Sequence, residues 1–455
     1  MPVLAGSQAP ADTANPVVVM GGGLAGLHAA ALIRKAGRAA VVLEARPDPG
    51  GRVQTIREPF GEGQFGEAGP IRISEAHQRV LGLVKDHGLS VVPFSSSNGS
   101  ELVSIGGMNF RADSLNKTNL PLDLKPEERG LTQGALLERY IGALPPDLAD
   151  LSPSAASYAQ WADYDRVTWT DWLRSRGASA DAVKLMTIGG DSRALSALYV
   201  LRQYALLRGK RQYYKIQGGM DRLPQAMAAA LGPVVRYDCV VGAVDHSGDT
   251  VLVDYMEQGE PRRVAASRVI ATVPLPLLRD VDIYPALSAD KQRLVAELPY
   301  FEATRILIQT YSRFWHDTGL SGYARTDQPA EVWDGTYDLP GRSGILGATV
   351  GGEIGKRLLT VSPEVAVSRG RDIVSGPFPQ LLRQTQTVVA HRWALEPWSK
   401  GAFAVFHPGQ MAAMMPIVSK PEGRLHFAGE HTSSWMGWME GALESGERAA
   451  REVLS

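Results

Sequence analysis

The sequence contains a single cysteine, Cys239, among its 455 residues. One cysteine excludes an internal disulfide and a multi-cysteine metal site, and it is typical of a reducing compartment. No stretch reaches the roughly 18 consecutive apolar residues that would predict a membrane span. Met1 to Asn15 lacks the basic start and apolar centre of a secretion signal. We therefore predict a cytoplasmic protein with a flexible N-terminal arm, no membrane contact and no metal ion.

An excess of charge of one sign is also lacking. The chain has 47 Lys and Arg residues against 48 Asp and Glu residues, which gives a formal net charge of -1. Without a broad basic surface, nucleic acid and anionic lipid are not expected partners, so a small molecule is the expected ligand. The length allows two or three domains, each with its own core. Composition leaves open whether the chain forms a homo-oligomer.

Glycine, by contrast, is abundant, with 48 residues, and its spacing near the start is informative. The β-branched run Val17 to Met20 is followed by Gly21, Gly23 and Gly26, and then by an alanine-rich helical run from Leu27 to Lys35. In G-x-G-x-x-G spacing after a strand, the glycines allow a tight turn, close approach of a pyrophosphate and close helix packing. The phosphates then lie at the N-terminus of the helix.

A second strand-like run, Ala39 to Leu43, ends at Glu44, where an acidic side chain can accept hydrogen bonds from a ribose. Together with the first strand and helix it predicts a dinucleotide-binding βαβ unit. Gly50-Gly51-Arg52 follows directly. This run is either a surface loop or a place where backbone lies against the cofactor while the Arg52 guanidinium meets a phosphate.

Two further runs are rich in glycine. In the first, Gly66 to Ile73, Arg72 is either a structural ion-pair partner or a functional cation. The second comprises Leu425 to Glu430 and Gly437 to Gly446, and it predicts a strand, a loop and a terminal helix whose N-terminus can serve an electronegative group. An enzyme that binds only NAD has no need for this second element.

In this order and spacing, the runs resemble the flavin-containing amine oxidases, a family that includes monoamine oxidases and L-amino acid oxidases. The resemblance implies an α/β fold in which a Rossmann-type FAD-binding domain carries a mixed-sheet substrate domain and a helical insertion. We assign residues 1–75, 212–300 and 422–455 to the FAD-binding domain, 76–125 and 301–421 to the substrate-binding domain, and 126–211 to the helical domain.

The resemblance also implies one FAD per chain. The residues at the family's cofactor-binding positions are Gly21, Gly23, Ala25, Gly26, Glu44, Ala45, Arg46, Gly51, Arg52, Gly69, Pro70, Ile71, Arg72, Val241, Gly429, Glu430, Gly437, Trp438 and Met439. Monoamine oxidases link the flavin covalently to a cysteine. Ala402 stands at that position here, so we predict non-covalent binding.

For the substrate, the resemblance assigns Phe403 and Trp438, beside Gly437, to the aromatic walls that face the flavin, and Arg72 to the carboxylate of an amino acid. Trp333 lies near the position of a second carboxylate-binding residue, where it can offer only its indole N–H. Arg305 replaces a lysine that holds a water near the flavin in the family. A guanidinium is larger and stays charged, so we predict an altered reaction with oxygen. Arg305, Phe403 and Trp438 are thus the predicted catalytic residues.

The resulting prediction is an FAD-dependent L-amino acid oxidase or dehydrogenase that forms a 2-oxo acid, ammonia and, with oxygen as acceptor, hydrogen peroxide. An amine oxidase for substrates without a carboxylate is the alternative, and a non-enzymatic flavin-binding protein also stays open. The Gly-Gly-Arg and C-terminal runs argue against an NAD-linked dehydrogenase. Four acids are candidates for a basic substrate tail, although each is as easily a solvated surface charge: Asp165, Asp191, Glu331 and Asp334.

Overall fold

The computed structural model describes residues 15–94, 99–117, 121–149, 158–210, 212–328 and 330–455. The expected N-terminal arm falls almost wholly outside these ranges. In chain order the strands are β1 Val17–Met20, β2 Ala40–Leu43, β3 Thr55–Ile56, β4 Gly66–Glu67, β5 Ile73–Ser74, β6 Val91–Pro93, β7 Ser100–Ile105, β8 Met108–Arg111, β9 Tyr213–Ile216, β10 Val235–Arg236, β11 Cys239–Asp245, β12 Val251–Glu257, β13 Glu260–Ala266, β14 Arg268–Ala271, β15 Asp282–Tyr284, β16 Thr304–Thr310, β17 Leu320–Thr326, β18 Ala330–Asp334, β19 Gly344–Val350, β20 Thr385–Arg392 and β21 Leu425–Phe427.

The α-helices connect these strands and also form a separate group between β8 and β9. They span Leu24–Lys35, Gln78–Asp86, Gln133–Ile141, Ala162–Asp165, Trp169–Ser175, Ala180–Met186, Ala197–Leu207, Arg222–Leu231, Leu275–Leu278, Ala289–Glu297, Phe314–Asp317, Gly352–Leu359, Pro363–Ser375, Leu381–Gln384, Gln410–Val418 and Met439–Leu454. Within the described ranges, none combines the length and apolar character that a bilayer-spanning helix requires.

A five-stranded parallel sheet has the order β10-β2-β1-β14-β21. All four residues of β1 are buried, because helices cover both faces of a parallel sheet, and this accounts for its unbroken apolar sequence. The first helix, Leu24–Lys35, packs against the last, Met439–Leu454. The predicted Rossmann-type α/β unit is confirmed, and the C-terminal run completes it as a neighbouring strand and helix.

A mixed seven-stranded sheet, of order β20-β16-β19-β18-β17-β7-β8, lies across the cavity from the parallel sheet. Its pairing places His391, Arg305, Thr349 and Glu331 in one row across β20, β16, β19 and β18. Residues directly opposite each other on paired strands share a face of the sheet. A row of polar residues therefore crosses this face of the sheet.

Four of the helices between Gln133 and Leu207 start at a side-chain cap, whereas Ala162–Asp165 has none. Thr132, Thr168, Ser179 and Ser196 each accept a hydrogen bond from a first-turn backbone N–H, the residue types that N-cap positions prefer. The helix Ala197–Leu207 is the part of this group that lines the cavity, through Tyr199 and Gln203. The domain boundaries themselves stay a prediction, and one local pairing crosses them: β6 pairs with β9.

Candidate active site

A cavity of about 570 Å³ lies between the carboxyl ends of the parallel strands and the polar row of the mixed sheet. In open α/β sheets ligands bind at this edge. Most residues predicted for the site line it: Gly21, Gly23, Ala25, Glu44, Ala45, Arg46, Gly51, Arg52, Gly69, Pro70, Ile71, Arg72, Val241, Arg305, Phe403, Gly429, Glu430, Gly437, Trp438 and Met439. One continuous cavity thus joins the expected nucleotide and substrate ends.

The glycine turn builds the nucleotide end from backbone. A Cβ on Gly26 would lie 2.0 Å from the carbonyl oxygen of Gly21, so only glycine permits this helix to start so close to the strand. A Cβ on Gly23, in contrast, would have no atom within 4 Å. Gly23 is also the N-cap of the first helix, and no side chain caps that helix. Its first-turn N–H groups are available to a phosphate at the cavity surface.

Glu44 is held at the end of β2 by two backbone donors. Gly22 N–H donates to Oε2 at 2.5 Å and Arg46 N–H to Oε1 at 2.9 Å. Burial raises the pKa of Glu44, against the lowering effect of these hydrogen bonds. Each carboxylate oxygen keeps a further lone pair for a ribose hydroxyl. The glycine turn, the uncapped helix and this carboxyl group fit the dinucleotide part of an FAD.

Glu430, which lines the cavity, joins three chain segments. Its Oε1 accepts hydrogen bonds from Arg52 Nη1 at 2.8 Å and from Ala404 N–H at 3.1 Å, and its Oε2 accepts from Gly437 N–H at 2.8 Å. Arg52 also donates to the Ala402 carbonyl at 3.1 Å. The Gly-Gly-Arg loop and the loop that carries Trp438 are therefore locked to each other.

Aromatic side chains wall the substrate end. Phe403 stacks on Phe301 with ring centroids 5.1 Å apart, and Trp438 Nε1 donates to Gln203 Oε1 at 2.7 Å. A fully buried histidine, His77, packs edge-on against Trp438 at 4.7 Å. Burial lowers the pKa of His77 to about 4. His77 is therefore neutral at ordinary pH and acts as an apolar support for the wall.

Arg72 forms an ion pair with Glu331 on the cavity wall. Arg72 Nη1 donates to Glu331 Oε1 at 2.9 Å, and the Tyr323 hydroxyl donates to the same oxygen. The side chains keep 30% and 20% exposure, respectively. The charge of Glu331 raises the pKa of Arg72. Burial alone would raise the pKa of Glu331, but Arg72 and Tyr323 outweigh it and hold this pKa below its usual range.

Arg305 is fixed by contacts from each guanidinium nitrogen. Nε donates to the Ala68 carbonyl at 3.1 Å, Nη2 to the Gly69 carbonyl at 2.7 Å, and Nη1 to Thr349 Oγ1. Burial lowers its pKa to about 10, so it stays charged at neutral pH. Arg305 therefore holds the loop that precedes Arg72, a role that its replacement of a lysine had not suggested.

Two predicted site residues do not line the described cavity. Gly26 acts indirectly, because the absence of its side chain lets the first helix start close to Gly21, as its spacing implies. Trp333 is 3% exposed and packs on the Arg305 guanidinium, whose carbon lies 4.9 Å from the ring centroid. It is on the same sheet face as Glu331, two residues away along β18, but only Glu331 lines the cavity. In this arrangement it supports Arg305, whereas the sequence placed it among the substrate-binding residues.

Of the four candidate acids, Glu331 lines the cavity. Asp165 is fully buried and accepts hydrogen bonds from Ser196 and Ala412, which ties the helical group to the C-terminal segment. Asp334 is buried and accepts from Thr336 and Trp315. Asp191 is partly exposed beside Phe301. Asp165 and Asp334 thus have structural contacts.

Sequence reasoning missed Tyr199, Gln203 and Thr349, which all line the cavity. Tyr199 and Gln203 are four residues apart, on one face of a largely apolar helix, and this spacing was a usable signal. Thr349 could be found only by aligning β19 with β16, because its proximity to Arg305 arises from strand register.

Comparisons with known proteins agree with this geometry. A family model for flavin-containing amine oxidoreductases matches residues 24–454. L-amino-acid oxidases of Vipera ammodytes ammodytes and Siganus canaliculatus are each 28% identical over 458 residues, or 97% of this chain and 93% and 86% of their own lengths. The solved structure of cyclohexylamine oxidase from Brevibacterium oxydans IH-35A has a TM-score of 0.81 at 23% identity, covering 96% of this chain and 98% of that one.

At that identity the solved structure establishes the fold alone, whereas the family model covers nearly the whole chain and ends within the helix that closes the cavity. A flavin is the cofactor that this family's description names, and the cavity presents the backbone cradle and aromatic walls that such a cofactor needs. The chain therefore belongs to the family of flavin-containing amine oxidoreductases.

Proposed function

We propose that the protein is an FAD-dependent L-amino acid oxidase that converts its substrate to a 2-oxo acid and ammonia, with hydrogen peroxide as co-product when oxygen is the acceptor. The observation that carries this proposal is the Arg72 guanidinium at the substrate end of the cavity. Among described residues it makes one hydrogen bond, from Nη1. The N–H groups on its other two nitrogens remain for a substrate carboxylate, which a guanidinium fork binds well.

The charges at this end agree with one bound carboxylate. Arg72 and Arg305 provide two positive charges and Glu331 one negative charge, and all three line the cavity. The remaining positive charge is compensated when a single substrate carboxylate is bound. A desolvated cation without such a partner would be costly.

A bound flavin would supply the oxidation by accepting a hydride equivalent from the carbon that carries the amine, and water would hydrolyse the resulting imine to the 2-oxo acid and ammonia. Arg72 orients the amino acid by its carboxylate, and Phe403 and Trp438 enclose the reacting carbon in apolar surface. Exclusion of water there favours the neutral form of the substrate amine over the ammonium. Arg305 holds the Ala68–Gly69 backbone, so that Arg72 is presented at a fixed position.

We further propose that FAD is held without a covalent bond. Ala402 lines the cavity at the position of the linking cysteine of monoamine oxidases, and its side chain offers no nucleophile. Acid precipitation should leave a colourless pellet and release the flavin, whereas a yellow washed pellet would refute this proposal. A cytoplasmic location stays a prediction, and the oligomeric state stays open.

Replacement of Arg72 by leucine tests the amino acid proposal. We expect kcat/KM for amino acids to fall by about a hundred- to a thousandfold, because the substrate carboxylate loses a charged partner. For amines that have the same side chain but no carboxylate, kcat/KM should fall by less than about tenfold. The rate of hydrogen peroxide release measures turnover of both kinds of substrate. Arg57→Leu is the matched control, since Arg57 pairs with Asp221 and does not line the cavity.

A second candidate, an amine oxidase for substrates without a carboxylate, is favoured by the pairing of Arg72 with Glu331. That pair already provides Arg72 with a carboxylate. The similar solved structure is named for cyclohexylamine, an amine of this class. Wild-type turnover of amines but of no L-amino acid would support this candidate. Equal losses for both substrate types in Arg72→Leu would make Arg72 structural.

A further inference from the structure

Glu331 has one carboxylate oxygen that the proposed reaction does not use. One oxygen, Oε1, accepts from both Arg72 and Tyr323. The other, Oε2, has no hydrogen-bond partner among the described residues, and the side chain keeps 20% exposure at the cavity wall. A negatively charged acceptor therefore stands open beside the proposed carboxylate anchor.

Strand register makes this position rigid. Glu331 lies opposite Thr349, which lies opposite Arg305, so the backbone of three paired strands fixes its position relative to Arg305. Arg72 and Tyr323 hold the side chain from two further segments. A group fixed in this way cannot move aside when a substrate arrives. Any substrate atom near Arg72 therefore also meets the charge of Glu331.

The neighbouring acid does not duplicate this charge. Glu67 accepts hydrogen bonds from Thr55 and Met220, and it is absent from the described cavity lining. Burial raises its pKa to about 7, so it is only partly charged at neutral pH. Glu331 is the acid that faces a substrate bound at Arg72.

We propose that Glu331 selects substrates by the charge of the side chain, in amino acids whose carboxylate is bound by Arg72. Its negative charge neutralises one of the two guanidinium groups, which leaves one positive charge to bind one substrate carboxylate. A second carboxylate, on an acidic side chain, would be repelled. The open Oε2 of Glu331 accepts a hydrogen bond from a cationic or amide side chain. The substrate class is thus an L-amino acid with a neutral or basic, but not an acidic, side chain. This inference rests on the proposed function.

The test compares kcat/KM of the flavin-loaded enzyme for L-glutamine, L-glutamate, L-lysine and L-leucine. Glutamine and glutamate have nearly the same shape and differ in charge. In the wild type we expect glutamine to exceed glutamate by about a hundredfold, since like charges at close range are strongly disfavoured. Glu331→Gln should narrow that ratio by about tenfold or more and should lower the value for lysine by about tenfold. Leucine should change by less than about threefold.

Glu447→Gln is the matched control, because Glu447 also pairs with an arginine, Arg79, and does not line the cavity. It should leave all four values unchanged. An equal change of all substrates in Glu331→Gln would mean that Glu331 only positions Arg72, and it would overturn the proposal. If that variant does not fold, the wild-type ratio decides, since equal use of glutamine and glutamate overturns it as well.

Failure of the proposed function gives a different result. If the wild type oxidises amines but no amino acid, the same comparison is made with pentylamine, 1,5-diaminopentane and 5-aminopentanoate. Charge selection by Glu331 then predicts that the diamine is preferred to the aminocarboxylate, and that Glu331→Gln narrows this preference by about tenfold. No preference between them would reject the inference independently of the amino acid proposal.

Discussion

The two ends of the cavity are built from different parts of the chain. At the nucleotide end, one short stretch supplies both the glycine turn and the Glu44 carboxylate, and Gly22 and Glu44 are only 22 residues apart. At the substrate end, side chains from distant strands and helices meet, such as Arg72 and Glu331, which are separated by 259 residues. A backbone site depends on what is absent from a position, whereas a side-chain site depends on register and charge.

The largest effect should come from adding one methyl group at the nucleotide end. In Gly26→Ala the new Cβ would overlap the Gly21 carbonyl, so we expect flavin content to vanish and the free energy of unfolding to fall by about 3 kcal/mol or more. Gly23→Ala sharpens the comparison, because its Cβ enters open space. It should fold normally yet bind less flavin. Thermal unfolding and flavin absorbance check both variants, and a stable, yellow Gly26→Ala would contradict the backbone account.

A smaller effect is expected on acidification at the substrate end. The pKa of folded His77, about 4, lies below its value of 6.5 in the unfolded chain. The folded state therefore binds fewer protons, and the stabilisation is complete above pH 6.5 and lost as pH falls towards 4. Between pH 7 and 4.5, His77→Asn should lose about 2–3 kcal/mol less stability than the wild type. Denaturant unfolding at both pH values measures this difference.

His246→Asn is the control for the acid experiment. His246 is partly exposed, its Nε2 bonds to the Pro285 carbonyl, and it does not line the cavity that Trp438 lines. This variant should show the wild-type loss of stability on acidification. An unchanged pH dependence in His77→Asn would mean that the histidine is not held neutral behind Trp438.

The smallest effect concerns Arg305. Arg305→Lys keeps the charge but cannot reproduce the hydrogen bonds to Ala68 and Gly69. We therefore expect the free energy of unfolding, measured by thermal unfolding, to fall by about 1–2 kcal/mol. KM for amino acids should rise more than kcat changes, because the loop before Arg72 loosens. Arg313→Lys is the control, because Arg313 also donates hydrogen bonds to three carbonyl groups but does not line the cavity. It should lose a similar amount of stability without a change in KM. A changed ratio of turnover with oxygen to turnover with an artificial acceptor, at constant KM, would instead favour the role first expected of Arg305.

How far sequence reasoning reached follows the same division. Gly21, Gly23, Gly26 and Glu44 were predictable because their relation is set within one βαβ unit, where spacing alone determines geometry. The relation of Arg72 to Glu331 was not predictable, since no local pattern encodes which strand of a mixed sheet lies opposite a loop. The resemblance could name positions such as Trp333, but it could not say that the ring packs behind Arg305 rather than at the cavity.

The order of strands in the parallel sheet has a consequence for how the protein is made. The strand β1, near the start of the chain, lies beside β14, and β14 lies beside β21, close to the end. The last helix then packs on the first, and Glu430 fastens the Gly-Gly-Arg loop. Contacts so distant in sequence form late, after long loops have closed. During synthesis on the ribosome, the flavin cradle therefore stays incomplete until Glu430 and the helix Met439–Leu454 have emerged.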